Sequence, residues 1–319
     1  MGDLSGITKL FAMELRQRIG RICIDFDKVY EFRLRVNNPL IIVVENKEFY
    51  ISKNSNEGLT TDIENAYIVN SKELRETVEY ISNYSLYAFE DEVRQGFITV
   101  AGGHRVGVCG KVFMDNGQIK SMKYISFLNI RISHEIKGCA DKIIPYVVKN
   151  NEFLHTLIIS PPRCGKTTLL RDIIRQISNG FDDFSGQSVG VVDERSELAG
   201  CYMGVPTNDL GARSDVLDCC PKALGIEILL RSMSPSVIAV DELGGNDYDA
   251  INHALYNGCK ILATIHGNGI DDIKDKPIFS KIIENKIFQR FIILGTGLKS
   301  GHISAIYDEQ MNNIWHGEK

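Results

Sequence analysis

The stretch TLIISPPRCGKTTLLRDIIRQIS, residues 156–178, constrains the fold of this chain more than any other. It begins as a short apolar strand, passes through a loop containing Gly-Lys-Thr, and continues into a segment whose apolar residues recur at helical spacing. A strand that runs through Gly-Lys-Thr directly into a helix is the context of a phosphate-binding loop. The sequence therefore predicts an α/β domain that binds a nucleoside triphosphate.

The residue types in this loop match the chemistry of phosphate binding. Loop amides and the N-terminus of the following helix present positive partial charge to phosphate oxygens. Lys166 is predicted to contact the β- and γ-phosphates, and the Thr167 hydroxyl is predicted to ligate Mg²⁺. The predicted nucleotide-binding residues are Pro161, Pro162, Arg163, Cys164, Gly165, Lys166, Thr167 and Thr168.

Ser160 stands where the phosphate-loop motif ordinarily has glycine. If the position needed a backbone conformation that only glycine adopts, the serine would weaken the site by on the order of 1 kcal/mol. Because Gly165, Lys166 and Thr167 are intact, we expect such a site to bind nucleotide more weakly and not to lose binding.

Downstream, the run SPSVIAVDELGG carries two carboxylates at the end of a fully apolar strand. Asp241 is predicted to hold Mg²⁺, and Glu242 is predicted to orient and deprotonate an attacking water. An apolar strand that ends in an acidic pair is a moderate signal alone and a strong one downstream of a phosphate loop. The pair therefore favours hydrolysis of the nucleotide.

Two more apolar runs, SVGVVDERSELAG and KILATIHGNG, also end in polar side chains. Those side chains are Asp193, Glu194, Glu197 and His266. Asp193 is a further candidate for Mg²⁺, the two glutamates are candidates for a role toward metal or water, and the histidine is predicted to sense the γ-phosphate. Because the carboxyl ends of parallel strands line one crevice of an open α/β sheet, we expect all of them around one pocket with Lys166 and Glu242.

The first 135 residues have a different pattern and are predicted to form a smaller α+β domain. Its predicted elements are strands in FRLRV and LIIVV, a helix in SKELRETVEYIS, and a hairpin of FITV and RVGVCGKVF joined by the turn AGGH. A further turn is predicted at Asn116-Gly117, a pair suited to positive φ. Residues 136–151 are predicted as a linker that contains a helix capped by Asp141. Residues 152–319 alternate short apolar runs with helical patterns, which predicts a mostly parallel sheet with helices on both faces.

Composition narrows the class of function. A net charge of −5 argues against a dedicated nucleic-acid binder, which needs a basic face to neutralise phosphates. The longest apolar runs, such as residues 39–44, are too short to span a bilayer, and the first residues lack the pattern of a signal peptide. The eight cysteines form no CxxC pair, which favours reduced thiols over a zinc site.

The motifs resemble those of a known superfamily. The phosphate loop, VVDERSEL, LLRSMSPSVIAVDE and ATIHG occur in the order seen in RecA-like secretion ATPases, which drive type II and type IV secretion and pilus motors. GGHRVGVCGKV, NIRISHEIKGCAD, SDVLDCCPKALGIEILLRSMSP and FQRFIIL resemble the stage III sporulation AA family of spore-forming Firmicutes, over roughly residues 10–310. The resemblance implies a RecA-like P-loop NTPase core at residues 152–319.

The resemblance also implies an activity and a setting. It implies a Mg²⁺-dependent ATPase that acts as a homo-oligomer, a hexameric ring, on a secretion-like channel during endospore formation. The partners would be membrane-embedded sporulation channel proteins, with the chain in the mother-cell cytoplasm, peripheral at the membrane around the forespore. In this superfamily arginines of the N-terminal domain reach the γ-phosphate, and Arg105 and Arg131 are the candidates here.

Two other readings fit a RecA-like core. A nucleic-acid-dependent translocase or helicase is disfavoured by the negative net charge and by the lack of a basic stripe interleaved with aromatics. A nucleotide-gated scaffold with little turnover is disfavoured by the presence of Lys166 and Glu242, although Ser160 keeps it open. The response of the ATPase rate to single-stranded DNA or RNA separates the first of these from a secretion motor.

Overall fold

The computed structural model describes residues 4–54, 58–85, 89–274, 277–296 and 301–317. The chain divides into two compact units, Met1–His134 and Glu135–Lys319. None of the described helices combines the length and the apolar character needed to cross a membrane.

The first unit is built on one antiparallel sheet of seven strands in the order β4-β3-β2-β1-β7-β6-β5. The strands are β1 Val29–Arg35, β2 Ile41–Val44, β3 Lys47–Ile51, β4 Leu59–Thr60, β5 Phe97–Val100, β6 His104–Asp115 and β7 Gln118–Arg131. The helices are α1 Leu4–Lys9, α2 Met13–Ile19, α3 Ser71–Ile81 and α4 Glu90–Gln95, with single 3₁₀ turns at Phe26–Lys28 and Ile63–Asn65.

The alternation of apolar and polar residues along β1 determines which face of this sheet is buried. Phe32 and Leu34 on β1 are fully buried, and the Phe32 ring packs edge-on against Phe11 at 5.1 Å between centroids. The intervening arginines point to the opposite face. The turn between β6 and β7 is the predicted one, with Asn116 at φ 48° and Gly117 at φ 78°.

The second unit contains a seven-stranded sheet in the order β14-β13-β15-β16-β10-β17-β18, parallel except for the last pair. Its strands are β10 Thr156–Ser160, β13 Val189–Asp193, β14 Ser214–Asp218, β15 Val237–Val240, β16 Lys260–His266, β17 Arg290–Leu294 and β18 Ile303–Asp308. Two short pairs lie outside it, β8 Val148–Lys149 with β9 Glu152–Phe153 and β11 Gly180–Phe181 with β12 Phe184–Ser185. The helices are α5 Ile144–Val147, α6 Lys166–Asn179, α7 Lys222–Ser232, α8 Tyr248–Tyr256, α9 Ile270–Lys274 and α10 Pro277–Glu284.

Both faces of the central strands β10, β13, β15 and β16 are buried, as their mainly apolar sequences predict. On β10, Ile158 belongs to the core that contains the apolar side of α6, whereas Leu157 and Ile159 belong to the core that contains α7 and α8. The side of α6 predicted to be buried consists of Leu169, Leu170, Ile173, Ile174 and Ile177, and all five are buried. The predicted α/β class with helices on both faces is confirmed.

Residues 136–151, the predicted linker, contribute Ala140, Ile143 and Val147 to the core on the α6 side. The predicted helix in this segment is only the single turn α5, with Ile143 at its N-cap position. The prediction that Asp141 caps this helix is wrong. The Asp141 carboxylate instead accepts a hydrogen bond from the Gln176 side chain on α6, at 2.8 Å.

Candidate functional site

The candidate site lies at the carboxyl ends of four neighbouring strands, β13, β15, β16 and β10. These strands are parallel, and Ser160 at the end of β10 is opposite His266 at the end of β16. The strands are mainly apolar, and Ser160, Asp193 and His266 end three of them while Asp241 follows β15, so these polar side chains lie at one edge of the sheet. The convergence expected from the sequence is therefore present in the fold.

Glu242 is the centre of this arrangement. Its Oε2 atom lies 3.8 Å from Lys166 Nζ and 3.3 Å from His266 Nε2. The Arg195 guanidinium, which the sequence analysis did not single out, lies 3.8 Å from the same oxygen. Burial lowers the pKa of Lys166, while the charges of Glu242 and Asp241 act in the opposite direction. The carboxylates of Glu242 and Asp241 thus favour the charged form of the phosphate-loop lysine, against the effect of burial.

The backbone of Glu242 is held in an uncommon conformation. Its φ is 35°, in the left-handed region that disfavours residues other than glycine, asparagine and aspartate. Two bonds to Thr264 on β16 hold it there: the Glu242 N–H donates to Oγ1 at 2.9 Å, and the Leu243 N–H donates to the Thr264 carbonyl at 2.7 Å. The neighbouring strand therefore fixes the direction in which the Glu242 side chain leaves the sheet.

Asp241 is 6% exposed, and its Oδ1 atom has no hydrogen-bond partner among the described residues. Burial raises the pKa of Asp241 to about 6, and the charge of Asp193 adds to this effect, while Lys222 and Lys166 oppose it. A buried carboxylate oxygen without a donor is suited to a divalent cation. The residues present thus fit Mg²⁺, with the Thr167 hydroxyl in the first turn of α6 as the second protein oxygen.

Asp193, the second carboxylate predicted for Mg²⁺, accepts hydrogen bonds within the protein, and its role at a cation stays a prediction. It is fully buried, and its carboxylate accepts hydrogen bonds from the backbone N–H groups of Glu197, Leu198 and Ala199 at 2.8 to 2.9 Å. Burial raises the pKa of Asp193, and these amides act against that rise. Both oxygens are occupied by residues 194–199, which we call the acidic loop. Nothing in the residue spacing could have revealed these three bonds.

The two glutamates of the acidic loop have different surroundings. Glu194 forms an ion pair with Lys222, the first residue of α7, whose side chain is only 8% exposed. Glu197 is exposed, and its charge acts on the pKa values of both Lys166 and Asp241. Lys222 is not among the site residues predicted from the sequence, although a lysine at the start of KALGIEILL, where Glu227 is the other charged residue, was a visible signal.

The phosphate loop has the backbone that its sequence predicts. Gly165 has φ 87° and is the N-cap residue of α6, and Lys166 is the first residue of the helix. Thr167 and Thr168 follow in the first turn, where backbone N–H groups are free of helical partners. Within the loop Arg163 also has positive φ, 63°, while Cys164 is anchored by its carbonyl, which accepts from the Gly301 N–H at 2.8 Å.

Ser160 needs no glycine at its position. It is the last residue of β10, it is fully buried, and its φ lies outside the left-handed region. Its hydroxyl donates to the Pro161 carbonyl at 2.9 Å. The condition under which the serine would weaken the site is therefore not met.

We expect Ser160→Gly to leave ATP affinity unchanged and to lower the free energy of unfolding by about 0.5–1 kcal/mol, because glycine weakens a strand. Ser160→Ala is the matched control, since it removes the hydroxyl and keeps the strand preference. Titration of ATP and thermal melting of both variants measure the two effects. A several-fold gain in ATP affinity for Ser160→Gly would show that the position favours glycine after all.

The two arginines predicted to reach the γ-phosphate both lie in the first unit. Arg105 on β6 and Arg131 on β7 are directly opposite each other in the strand pairing. The Arg105 guanidinium stacks 3.7 Å from the centre of the Phe97 ring. Arg131 has a side chain that is 67% exposed and lies 4.0 Å from a Glu31 carboxylate oxygen. Their predicted role at a phosphate remains a prediction.

Comparisons with known proteins agree with this architecture. The chain is 39% identical over 286 residues to "Stage III sporulation protein AA" of Bacillus subtilis (strain 168), covering 89% of this chain and 88% of that protein. Among solved structures it resembles the ATPase DotB of Legionella pneumophila, with a TM-score of 0.54 and 15% identity over 88% of this chain and 75% of the other. DotB of Yersinia pseudotuberculosis is similar at 0.54 and 14%, over 89% and 76%.

At such identities the two DotB structures establish the fold alone, and the RecA-like P-loop class is confirmed. The family described as "Sporulation stage III, protein AA" matches residues 3–314, nearly the whole chain. The chain belongs to the sporulation stage III protein AA family.

Proposed function

We propose that this protein is a Mg²⁺-dependent ATPase that powers a secretion-like channel during endospore formation. The observation that carries the proposal is the Glu242 carboxylate at the end of β15, within 4 Å of both the phosphate-loop Lys166 and His266. A carboxylate at that distance from a phosphate-binding lysine is placed to take a proton from a water that attacks the γ-phosphate. A site that only bound nucleotide would not need it.

In the proposed reaction the loop amides and Lys166 bind the phosphates, and Glu242 orients and deprotonates the water. When the γ-phosphate takes over Lys166 as a partner, the Glu242 carboxylate is released toward the attacking water. His266, on the neighbouring strand, donates a hydrogen bond to Glu242 or to the γ-phosphate. Its hydrogen bonding therefore changes when the γ-phosphate is bound. We assign Glu197 to this chemistry because its charge acts on both Lys166 and Asp241, whereas Glu194 forms an ion pair with Lys222.

Thr167 and Asp241 are the residues that we propose for Mg²⁺, and Asp193 is left to hold the acidic loop. When bound, the cation would neutralise negative charge on the phosphates of the nucleotide. Asp241 must be ionised to bind it, and its raised pKa means that this carboxylate gains a proton as pH falls through about 6. Binding of the cation therefore competes with a proton at Asp241.

We further propose that Arg105 and Arg131 contribute positive charge to the γ-phosphate, from the same chain or from a neighbouring copy. The support for this is that the two residues are directly opposite each other on adjacent strands, which brings two positive charges to one part of the sheet. Turnover would then move the first unit, Met1–His134, within a homohexameric ring. The partners would be membrane-embedded sporulation channel proteins, with the ring peripheral at the forespore membrane on the mother-cell side and no nucleic acid involved.

The test is release of phosphate from ATP by the purified chain, with and without Mg²⁺ and with and without single-stranded DNA or RNA. We expect hydrolysis that requires Mg²⁺ and does not respond to nucleic acid. The Mg²⁺ concentration for half-maximal rate should rise by up to about tenfold per pH unit below pH 6. Asp241→Asn should raise that concentration at pH 7 and remove the part of the pH dependence that comes from this carboxylate.

Two outcomes would contradict the proposal. ATP binding without phosphate release under any of these conditions would favour the nucleotide-gated scaffold. Strong stimulation by single-stranded nucleic acid would favour the translocase, against the net negative charge of the chain.

A further inference from the structure

Arg171 is a buried cation one turn beyond the phosphate-binding residues of α6. Its side chain is 8% exposed, and burial lowers its pKa. Buried arginines ordinarily pair with a carboxylate, because an uncompensated charge is costly in the interior. Here the two hydrogen bonds both end on backbone carbonyls: Nε donates to Leu198 at 2.7 Å, and Nη2 donates to Glu197 at 2.8 Å.

The acidic loop is therefore held from two sides. Asp193 binds its N–H groups, including that of Glu197 at 2.9 Å, and Arg171 binds its carbonyls. The Asn208 side chain adds a third contact by donating to the Leu198 carbonyl at 3.0 Å. The Glu197 N–H is thus held by Asp193 at the end of β13, and the Glu197 carbonyl is held by Arg171 on α6.

This connection joins two parts of the candidate site that are distant in sequence. Lys166 and Thr167 lie in the first turn of α6, and Arg171 lies on the next turn of the same rigid helix. The helix that would bind the phosphates therefore also helps to determine the position of the Glu197 backbone. A guanidinium can do this because its planar fork reaches two acceptors at once, whereas a lysine ammonium is a single point on a flexible chain.

We propose that Arg171 is a positioning residue for ATP hydrolysis, which acts by fixing the acidic loop so that Glu197 faces the nucleotide. This inference rests on the proposed function. It predicts a loss in turnover and not in nucleotide binding, because Arg171 contacts the loop and not the phosphate site.

The experiment compares Arg171→Lys and Arg171→Gln with wild type in full-length protein. We expect kcat to fall by about 10–100-fold, since misplacement of a reacting group by about 1 Å is enough for such a loss. The KM for ATP should change by less than about threefold, because its binding groups are untouched. Arg175→Gln is the matched control: Arg175 lies one turn further on α6 and pairs with Asp172. Its kcat should stay near the wild-type value.

A double-mutant cycle with Glu197→Gln tests whether Arg171 acts through this glutamate. In the Glu197→Gln background, Arg171→Lys should cost little further in kcat. If the losses in kcat from the two single substitutions multiplied in the double variant, the inference would be overturned. An effect of Arg171→Lys on KM alone would also overturn it.

Hydrogen exchange of the Glu197, Leu198 and Ala199 amides gives a second readout that requires no turnover. Exchange should be faster in Arg171→Lys than in wild type and unchanged in Arg175→Gln. Unchanged exchange in Arg171→Lys would overturn the inference even if turnover fell. If the wild-type chain proved unable to hydrolyse ATP, the proposed function would fail, whereas accelerated exchange would still identify Arg171 as the anchor of the acidic loop.

Discussion

Replacing Glu242 by glutamine is expected to lower the rate of ATP hydrolysis by about 10²–10⁴-fold and to leave ATP binding intact. Glutamine has the shape of glutamate but cannot accept a proton from water. Its uncharged amide also no longer repels the γ-phosphate or competes for Lys166, whose Nζ lies 3.8 Å from the carboxylate. ATP affinity should therefore be unchanged or higher.

Single-turnover hydrolysis and equilibrium binding of ATP measure the two effects of Glu242→Gln separately. Glu152→Gln is a suitable control, because Glu152 lies on β9 with a side chain that is 70% exposed and has Lys260 as its partner. If Glu242→Gln hydrolysed ATP at the wild-type rate, the base would have to be another carboxylate. Glu197 would then be the candidate, since Glu194 is already paired with Lys222.

Replacing Lys166 by alanine is expected to abolish measurable ATP binding. A charged hydrogen bond to phosphate contributes about 1.5–3 kcal/mol, and Lys166 serves two phosphates, so Kd should rise by about 100-fold or more. The free protein should not suffer, because burial already disfavours the charged form of this lysine and lowers its pKa. The loss of binding is thus separable from misfolding.

Isothermal titration with ATP and thermal melting without nucleotide measure these two quantities for Lys166→Ala. Lys149→Ala, at an exposed position on β8, controls for the general effect of removing a positive charge. ATP binding within a few-fold of wild type would mean that the phosphates lie elsewhere. A large drop in melting temperature would mean that Lys166 stabilises the fold through Glu242.

The placement of the candidate site could be predicted from the sequence, because it depends on a simple regularity. The strands that end at Ser160, Asp193, Val240 and His266 are mainly apolar and carry or precede a polar residue at the carboxyl end, and parallel strands present those ends together. Buried apolar runs and the Gly-Lys-Thr loop therefore suffice to locate the edge of the sheet where the polar residues meet.

The hydrogen-bond partners of the individual side chains could not be predicted, because they depend on contacts between residues that are distant in sequence. The three amides that donate to Asp193 are placed by the path of the acidic loop, which the sequence does not reveal. The Asp141 prediction was wrong for the same kind of reason: a side chain on α6 competes for the carboxylate that a local rule assigned to a helix end. Ser160 departs from its motif, and only its strand backbone shows that the position does not have the left-handed φ that favours glycine.

The strand order of the second unit has a consequence for synthesis on the ribosome. Ile158, at the centre of β10, pairs with Thr264 and Ile292, so the strand that leads into the phosphate loop has neither neighbour until those residues have emerged. Such non-local pairing is slow to form, whereas the first unit completes its sheet from strands between Val29 and Arg131. The nascent chain should therefore acquire an ordered N-terminal unit long before it can hold a nucleotide.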